Sequence, residues 1–177
     1  MTADERTAAR VHELERRTDA LESLLLRGWC FVVAALLVAG LLVPYGHEGL
    51  DDDRTTWSVL TTPFVALNDG TDGLEGSDLT LGILYLGGFV GLILVALGLL
   101  GGLVIIGGRA ACTRAPRVLR VLVVLAVVGS VVVLLLTGMI ANLDRGEGGP
   151  GGLVLLAGAL AFVPLLTARG RSLWADR

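Results

Sequence analysis

The most apolar stretch of the chain runs from Leu79 to Gly108 and reads LTLGILYLGGFVGLILVALGLLGGLVIIGG. It contains no charged side chain. About 20 apolar residues form a helix that crosses the ~30 Å hydrocarbon core of a bilayer, so this stretch predicts a transmembrane helix that tilts or protrudes. Three further apolar stretches lie at about 24–43, 118–140 and 152–168. We therefore predict an all-α integral membrane protein, built as a bundle of four transmembrane helices.

The loops between these stretches differ in arginine content. Residues 1–27 carry five arginines and residues 109–120 carry four, whereas the loops 45–78 and 141–151 carry one each. The tail 169–177 carries the remaining three of the 14 basic residues, none of which is lysine. Cytoplasmic loops are enriched in basic residues. The distribution predicts a multi-pass protein of the plasma (inner) membrane, with both termini and the middle loop in the cytoplasm.

The centres of the four stretches contain no Asp, Glu, His, Lys or Arg. Ionisable groups inside a membrane mark proton relays and ion pathways, so this composition weighs against a proton-coupled pump. The only cysteines, Cys30 and Cys112, form no Cys-x-x-Cys pair. Both histidines, His12 and His47, lie outside the predicted spans, so we interpret Ser130 as a packing residue that bonds its own helix backbone. The sequence predicts no catalytic, cofactor-binding or metal-binding residue and no nucleic-acid partner.

Small residues recur at helical spacing on three of the predicted spans. They are Ala35 and Ala39 on the first, Gly87, Gly91, Gly98 and Gly102 on the second, and Ala126 and Ser130 on the third. The four glycines fall on one helix face, and small side chains let helix backbones approach closely in a membrane. We expect this face to pack inside the bundle, so that isoleucine at Gly91 would destabilise it. A dimer interface is the alternative.

Residues 4–26 contain neither glycine nor proline and carry a short heptad pattern. Its a and d positions are Val11, Leu14, Thr18, Leu21 and Leu25. Arg10 and Arg17 then fall at g, and Glu15 and Glu22 fall at e, the spacing that pairs charges across a parallel two-stranded coil. The pattern is shorter than the about 3–4 heptads expected of a coiled coil. A single cytoplasmic amphipathic helix, hinged at Gly28, is therefore the preferred interpretation, with a homo-oligomeric coil as the alternative.

The loop 45–78 holds eight acidic residues against one arginine. Its glycine-rich acidic run fails the EF-hand pattern, because the twelfth position counted from Asn68 is Leu79 and not glutamate. We therefore expect a solvated loop that binds no metal. Between the acidic runs, apolar residues recur at helical spacing, namely Trp57, Leu60, Phe64 and Leu67. We expect that face to rest on the outer membrane surface, to cap the bundle or to contact another protein, and we expect the second outer loop, 142–152, to be purely connective.

The absence of a catalytic pattern favours a non-catalytic membrane scaffold or accessory subunit over an enzyme. Its expected partners are the lipid bilayer, other proteins or a second copy of the chain. The residues expected to make these contacts are Trp57, Leu60, Phe64 and Leu67 in the outer loop and Val11, Leu14 and Leu21 in the N-terminal helix. The alternative is a small transport component for an apolar or zwitterionic solute. The apolar composition of the spans favours the first function, because a transport path would be expected to carry a polar stripe.

Overall fold

Helices dominate the fold of this computed structural model, which describes residues 3–48, 55–68, 77–108, 115–142 and 146–167. In chain order the elements are α1 (Ala3–Leu42), β1 (Gly46–Glu48), β2 (Thr55–Trp57), α2 (Thr62–Asn68), α3 (Ser77–Gly107), α4 (Ala115–Ala141), β3 (Gly146–Gly148) and α5 (Gly151–Leu166). The four long helices form a bundle in which α1 packs against α5 and α3, and α4 packs against α5 and α3.

Three of these helices are long and apolar enough to span a membrane. The candidate spans lie within Arg10–Leu42 of α1, Gly82–Gly107 of α3 and Arg117–Ala141 of α4. The fourth apolar helix, α5, has 16 residues, which gives a length of about 24 Å at 1.5 Å per residue. Pro150 precedes α5 and Pro164 lies in its last turn, where the helix ends.

Helix α1 is continuous from the N-terminal segment into the apolar segment. It comprises 40 residues and is therefore about 60 Å long. The predicted hinge at Gly28 is wrong, because Gly28 lies inside this uninterrupted helix. A single glycine disfavours a helix by only about 1 kcal/mol relative to alanine, which the packing of Leu26 and Cys30 against the bundle offsets.

The centre of the bundle is filled by large aliphatic and aromatic side chains. Val33 and Leu37 of α1, Leu99 of α3, and Leu155 and Phe162 of α5 are all essentially inaccessible to solvent. The described part of the bundle therefore packs around an apolar core.

Helices α1 and α5 cross at their closest through glycine. A Cβ atom on Gly40 would lie 2.5 Å from the Cα and 2.7 Å from the backbone nitrogen of Leu155. Three residues along each helix, a Cβ on Gly158 would lie 3.0 Å from the backbone nitrogen of Leu37. Both positions lack the space for a side chain, so this antiparallel crossing depends on direct contact between the two backbones.

A small sheet joins the two loops at the end of the bundle where α1 ends and α5 begins. Its strand order is β2-β1-β3, and both pairings are antiparallel. The sheet continues into the connections, since the Gly149 amide donates to the Tyr45 carbonyl at 2.8 Å and the Gly151 amide donates to the Pro44 carbonyl at 3.0 Å. The prediction that residues 142–152 are purely connective is wrong, because this segment supplies the third strand. We call the sheet together with α2 the cap.

Candidate functional site

A chain of hydroxyl groups lies beneath the cap. The Tyr45 hydroxyl is 2.9 Å from the hydroxyl of Thr62 and 3.3 Å from the hydroxyl of Tyr85. Thr62 in turn donates to the Ser58 carbonyl at 2.6 Å. Tyr45 and Thr62 are completely buried. These hydroxyl groups thus connect Tyr45, which directly precedes β1, with the start of α2 and with α3.

Aromatic contacts extend the same connection into the bundle. The Tyr45 ring stacks on Phe89 of α3 with centroids 5.8 Å apart, and Phe89 also contacts the Tyr85 ring at 4.9 Å. Burial raises the pKa of the Tyr45 phenol far above its ordinary value, so this group stays protonated and serves as a hydrogen-bond partner. The arrangement anchors the cap to α3. Tyr45 carried no signal in the sequence, because a single tyrosine after a span is common at membrane interfaces.

The turn before α2 is closed by reciprocal hydrogen bonds. The Ser58 amide donates to the Thr61 hydroxyl at 3.0 Å, and the Thr61 amide donates to the Ser58 hydroxyl at 3.1 Å. Pro63 lies in the first turn of the helix, where a missing N–H group is tolerated. These bonds fix where α2 begins and therefore which way it faces.

The apolar residues predicted to share one helical face in the outer loop are divided between three elements. Trp57 ends strand β2, Leu60 lies in the turn, and only Phe64 and Leu67 are on α2. The prediction that the four share one helical face is therefore wrong, because the β1–β2 pairing and the reciprocal bonds of Ser58 place Trp57 and Leu60 outside the helix. Trp57 is half-buried against the core. Phe64 and Leu67 remain 68% and 62% exposed, and they form an apolar pair on the surface of the cap.

The predicted glycine face of α3 is divided into two halves. Gly98 and Gly102 pack against Leu122 and Leu119 of α4. A Cβ on Gly87 or Gly91, in contrast, would have no atom within 4 Å among the described residues. The expectation that Gly91 packs inside the bundle is therefore wrong for a single copy of the chain, because α3 and α4 lie closer together in the half that contains Gly98.

An apolar groove opens between α3 and α4 in the other half of their contact. Its volume is about 640 Å³, within the size range of small-molecule pockets. The residues that line it include Tyr85, Gly88 and Leu92 of α3 and Gly129 and Leu136 of α4. The Tyr85 hydroxyl connects the groove with the buried hydroxyl chain.

The small residues predicted on the other spans differ in their surroundings. Ser130 is buried and donates to the Ala126 carbonyl at 2.7 Å, as expected of a packing residue that bonds its own helix. Ala126 is also buried. Ala35 is exposed and Ala39 is half-buried on α1. The direct backbone contact between α1 and α5 thus lies at Gly40 and Gly158, which the predicted pairs of small residues do not include.

The N-terminal half of α1 exposes its predicted contact residues, Val11, Leu14 and Leu21. On the same segment, Arg17 pairs with Glu13 one turn earlier, with Nε and Oε1 2.9 Å apart. Both side chains of this pair are more than half exposed, so its contribution to helix stability is small.

Metal-binding side chains do not cluster in the part of the chain that the structure describes. No group of three or more His, Cys, Asp or Glu side chains that could hold a metal ion occurs there. Cys30 is buried in the bundle. The acidic runs 51–53 and 69–76, and Cys112, lie outside the described residues. The candidate functional surfaces are therefore the cap, the groove and the exposed face of α1.

No protein-family model matches this chain, and no curated protein or solved structure matches it either.

Proposed function

We propose that the protein is a non-catalytic scaffold or accessory subunit of the plasma (inner) membrane, with four spans and both termini in the cytoplasm. The arginine distribution supports this orientation, since the basic segments flank one end of the predicted spans and the cap lies at the other. The cap would then face the outer side of the membrane.

The contacts of α5 support its role as the fourth span. The helix packs along α1, with Gly158 beside Leu37, and the Trp29 indole donates to the Ala161 carbonyl at 3.0 Å. A helix that follows a membrane-spanning neighbour over this length lies at the same depth in the bilayer. Its length of about 24 Å is slightly less than the ~30 Å hydrocarbon thickness, a difference that local thinning of the bilayer accommodates.

The observation that carries the scaffold role is the exposed apolar pair Phe64 and Leu67 on a rigidly held cap. The buried Tyr45 and Thr62 fix α2 to the bundle, so the pair is presented in one orientation. Exposed aromatic and aliphatic residues on a fixed surface are typical of protein contact sites. The proposed function is thus to hold a partner protein at the outer membrane surface.

The groove between α3 and α4 favours the alternative function, a transport component for an apolar or zwitterionic solute. It is lined by apolar side chains and has one hydroxyl, that of Tyr85, near its end. However, it lies between two neighbouring helices and not along the bundle axis, where Leu37, Leu99 and Phe162 are fully buried. This placement suits the binding of an apolar molecule better than its passage across the membrane.

The proposed orientation predicts the side of the membrane on which each loop lies. A fluorescent reporter fused after residue 177 or inserted within 109–117 is expected to fold and fluoresce, because those sites are cytoplasmic. A phosphatase reporter that needs an oxidising compartment is expected to be active only when inserted at residue 70. Phosphatase activity at 177 together with fluorescence at 70 would reverse the orientation.

Photo-cross-linking distinguishes a protein contact of α2 from a lipid contact. A photoactivatable phenylalanine analogue at Phe64 is expected to give a discrete adduct of protein size in native membranes, because the cap presents this position to a partner. The adduct is expected to be lost when Leu67→Glu is added. The same analogue at Ile83, which is exposed on α3, serves as the control and should capture lipid. Only lipid-sized adducts at Phe64 would show that α2 rests on the membrane surface instead.

A further inference from the structure

Because α1 is continuous, its heptad pattern extends further than the N-terminal segment alone. With a break at Gly28 the pattern would end after little more than two heptads. Because the helix continues to Leu42, the same register places Gly28, Val32, Ala35, Ala39 and Leu42 at the following d and a positions. The register then extends over about four and a half heptads, which exceeds the about 3–4 that indicate a coiled coil.

The structure leaves this whole face of α1 uncovered. Nine of the ten a and d positions from Val11 to Leu42 are exposed and the tenth, Ala39, is half-buried. The bundle contacts of α1 are made from the opposite side, at b and f positions such as Leu26, Cys30, Val33 and Leu37. The a and d face therefore points directly away from the chain's own bundle.

The side chains along this face change where the helix enters the apolar segment. The N-terminal part carries Val11, Leu14 and Leu21, the large aliphatic residues that fill a coiled-coil seam in water. The apolar part carries Gly28, Ala35 and Ala39, the small residues that allow helices to approach in a membrane, where van der Waals contact drives association. Each half of one continuous face thus has the composition that suits its own surroundings.

Charge complementarity identifies the occupant of this face as an identical, parallel helix. In this register Arg17 at g lies five positions before Glu22 at e, and Arg10 lies five positions before Glu15. That spacing places opposite charges together across a parallel two-stranded coil and not across an antiparallel one. Copies of one membrane protein share a single orientation, so their α1 helices are parallel by necessity. Within one copy, Arg17 pairs with the exposed Glu13, a weak contact that is readily exchanged.

We infer that a second copy of this chain covers the a and d face of α1, in a parallel homodimer whose seam runs without interruption from Val11 in the cytoplasm to Leu42 in the membrane. The inference rests on the proposed scaffold function and extends it by naming the partner of the N-terminal helix. The dimer axis is perpendicular to the membrane, so the two caps lie on the same side and present two copies of the Phe64 and Leu67 pair.

Cysteine cross-linking in native membranes tests the seam along its length. In a background of Cys30→Ala and Cys112→Ala, single cysteines are introduced at the d positions Leu21 and Ala35. The matched controls are Ala20→Cys, which is exposed at position c beside Leu21, and Leu94→Cys, which is exposed on α3. Oxidation is expected to give several-fold more disulfide-linked dimer for Leu21→Cys and Ala35→Cys than for either control.

Substitutions in the seam provide the second measurement. Thr18→Ile is expected to increase the Leu21→Cys dimer, because a β-branched apolar residue at a favours two strands, and Leu14→Asp is expected to reduce it. Equal cross-linking at all four positions, or cross-linking at Leu21→Cys without Ala35→Cys, would overturn the continuous seam. If the seam cross-links are absent but Phe64 still gives a protein adduct, the dimer is refuted and the scaffold function stands. If the seam cross-links form but Phe64 gives no protein adduct, only the proposed contact of the cap is refuted.

Discussion

Gly40→Val is expected to lower the free energy of unfolding in detergent by about 3 kcal/mol, at the upper end of the usual range for overpacking. A Cβ at this position meets the backbone of Leu155 at 2.5 Å, and a backbone atom cannot move aside as the tip of a side chain can. Helices α1 and α5 must therefore separate, and the contacts of Leu37 with Gly158 are lost with them. Thermal unfolding followed by circular dichroism should show a midpoint lower by on the order of 10 °C.

Gly91→Val is the matched control for this prediction. Gly40 lies in the last turn of α1 and Gly91 in the middle of α3, and the change in intrinsic helix propensity from glycine to valine is under about 1 kcal/mol at either position. They differ in their surroundings, since a Cβ at Gly91 has no atom within 4 Å in the described part of the chain. Gly91→Val is accordingly expected to change stability little. Equal losses for the two variants would show that contact with Leu155 does not control the stability of the bundle.

The contrast between Gly40 and Gly91 illustrates which parts of the fold the sequence predicts. Hydropathy located α3, α4, α5 and the end of α1 to within a few residues, because a run such as 79–108 has few other ways to satisfy its backbone in an apolar environment. The partners of each helix were not predictable in this way. Gly91 belongs to a regular glycine series and is open, whereas Gly40 belongs to no such series in α1 and meets the backbone of Leu155. Which glycine is packed depends on the crossing point of two helices, which local spacing does not encode.

The cap was beyond sequence analysis for a related reason. Strands of three residues, such as Gly46–Glu48 and Gly146–Gly148, are too short to show the alternation that identifies a strand. Their pairing joins segments about one hundred residues apart in the chain, which no local sequence pattern encodes. The helical spacing from Trp57 to Leu67 was misleading, because it also fits a strand followed by a turn and a short helix.

At Gly28 a local feature predicts a break that the fold does not contain. A glycine between a polar and an apolar helix suggests a hinge, yet α1 passes through it unchanged. The contacts of Leu26 and Cys30 with the bundle, immediately before and after Gly28, hold both sides of the position in one helix. The consequence is functional, since only a continuous α1 extends its heptad register into the membrane.

Tyr45→Ala is expected to produce the largest loss of order in the cap. The side chain is completely buried, and truncation of a buried aromatic residue typically costs about 3–5 kcal/mol because a cavity remains. The ring's stack on Phe89 and its hydrogen bond with Thr62 are removed together. Since these contacts link the cap to α3 and do not themselves join α1 to α5, the loss should be greatest in the cap. Hydrogen exchange should accelerate at the Gly149 and Gly151 amides.

Two variants separate the contribution of the Tyr45 ring from that of its hydroxyl. Tyr45→Phe keeps the stack on Phe89 and removes the hydroxyl that bonds Thr62 and Tyr85, so it is expected to cost about 1–2 kcal/mol. Thr62 retains its bond to the Ser58 carbonyl in that variant, which limits the penalty of an unpaired buried hydroxyl. Phe64→Ala, at an exposed aromatic position of the same cap, is expected to change stability by less than about 0.5 kcal/mol. If Tyr45→Ala left exchange at Gly149 unchanged, or if Phe64→Ala accelerated it equally, the cap would not be held by the buried tyrosine. The expected order of losses, Tyr45→Ala above Tyr45→Phe above Phe64→Ala, follows from the burial of each position and the contacts that each variant removes, and it requires no assumption about the partner that the cap contacts.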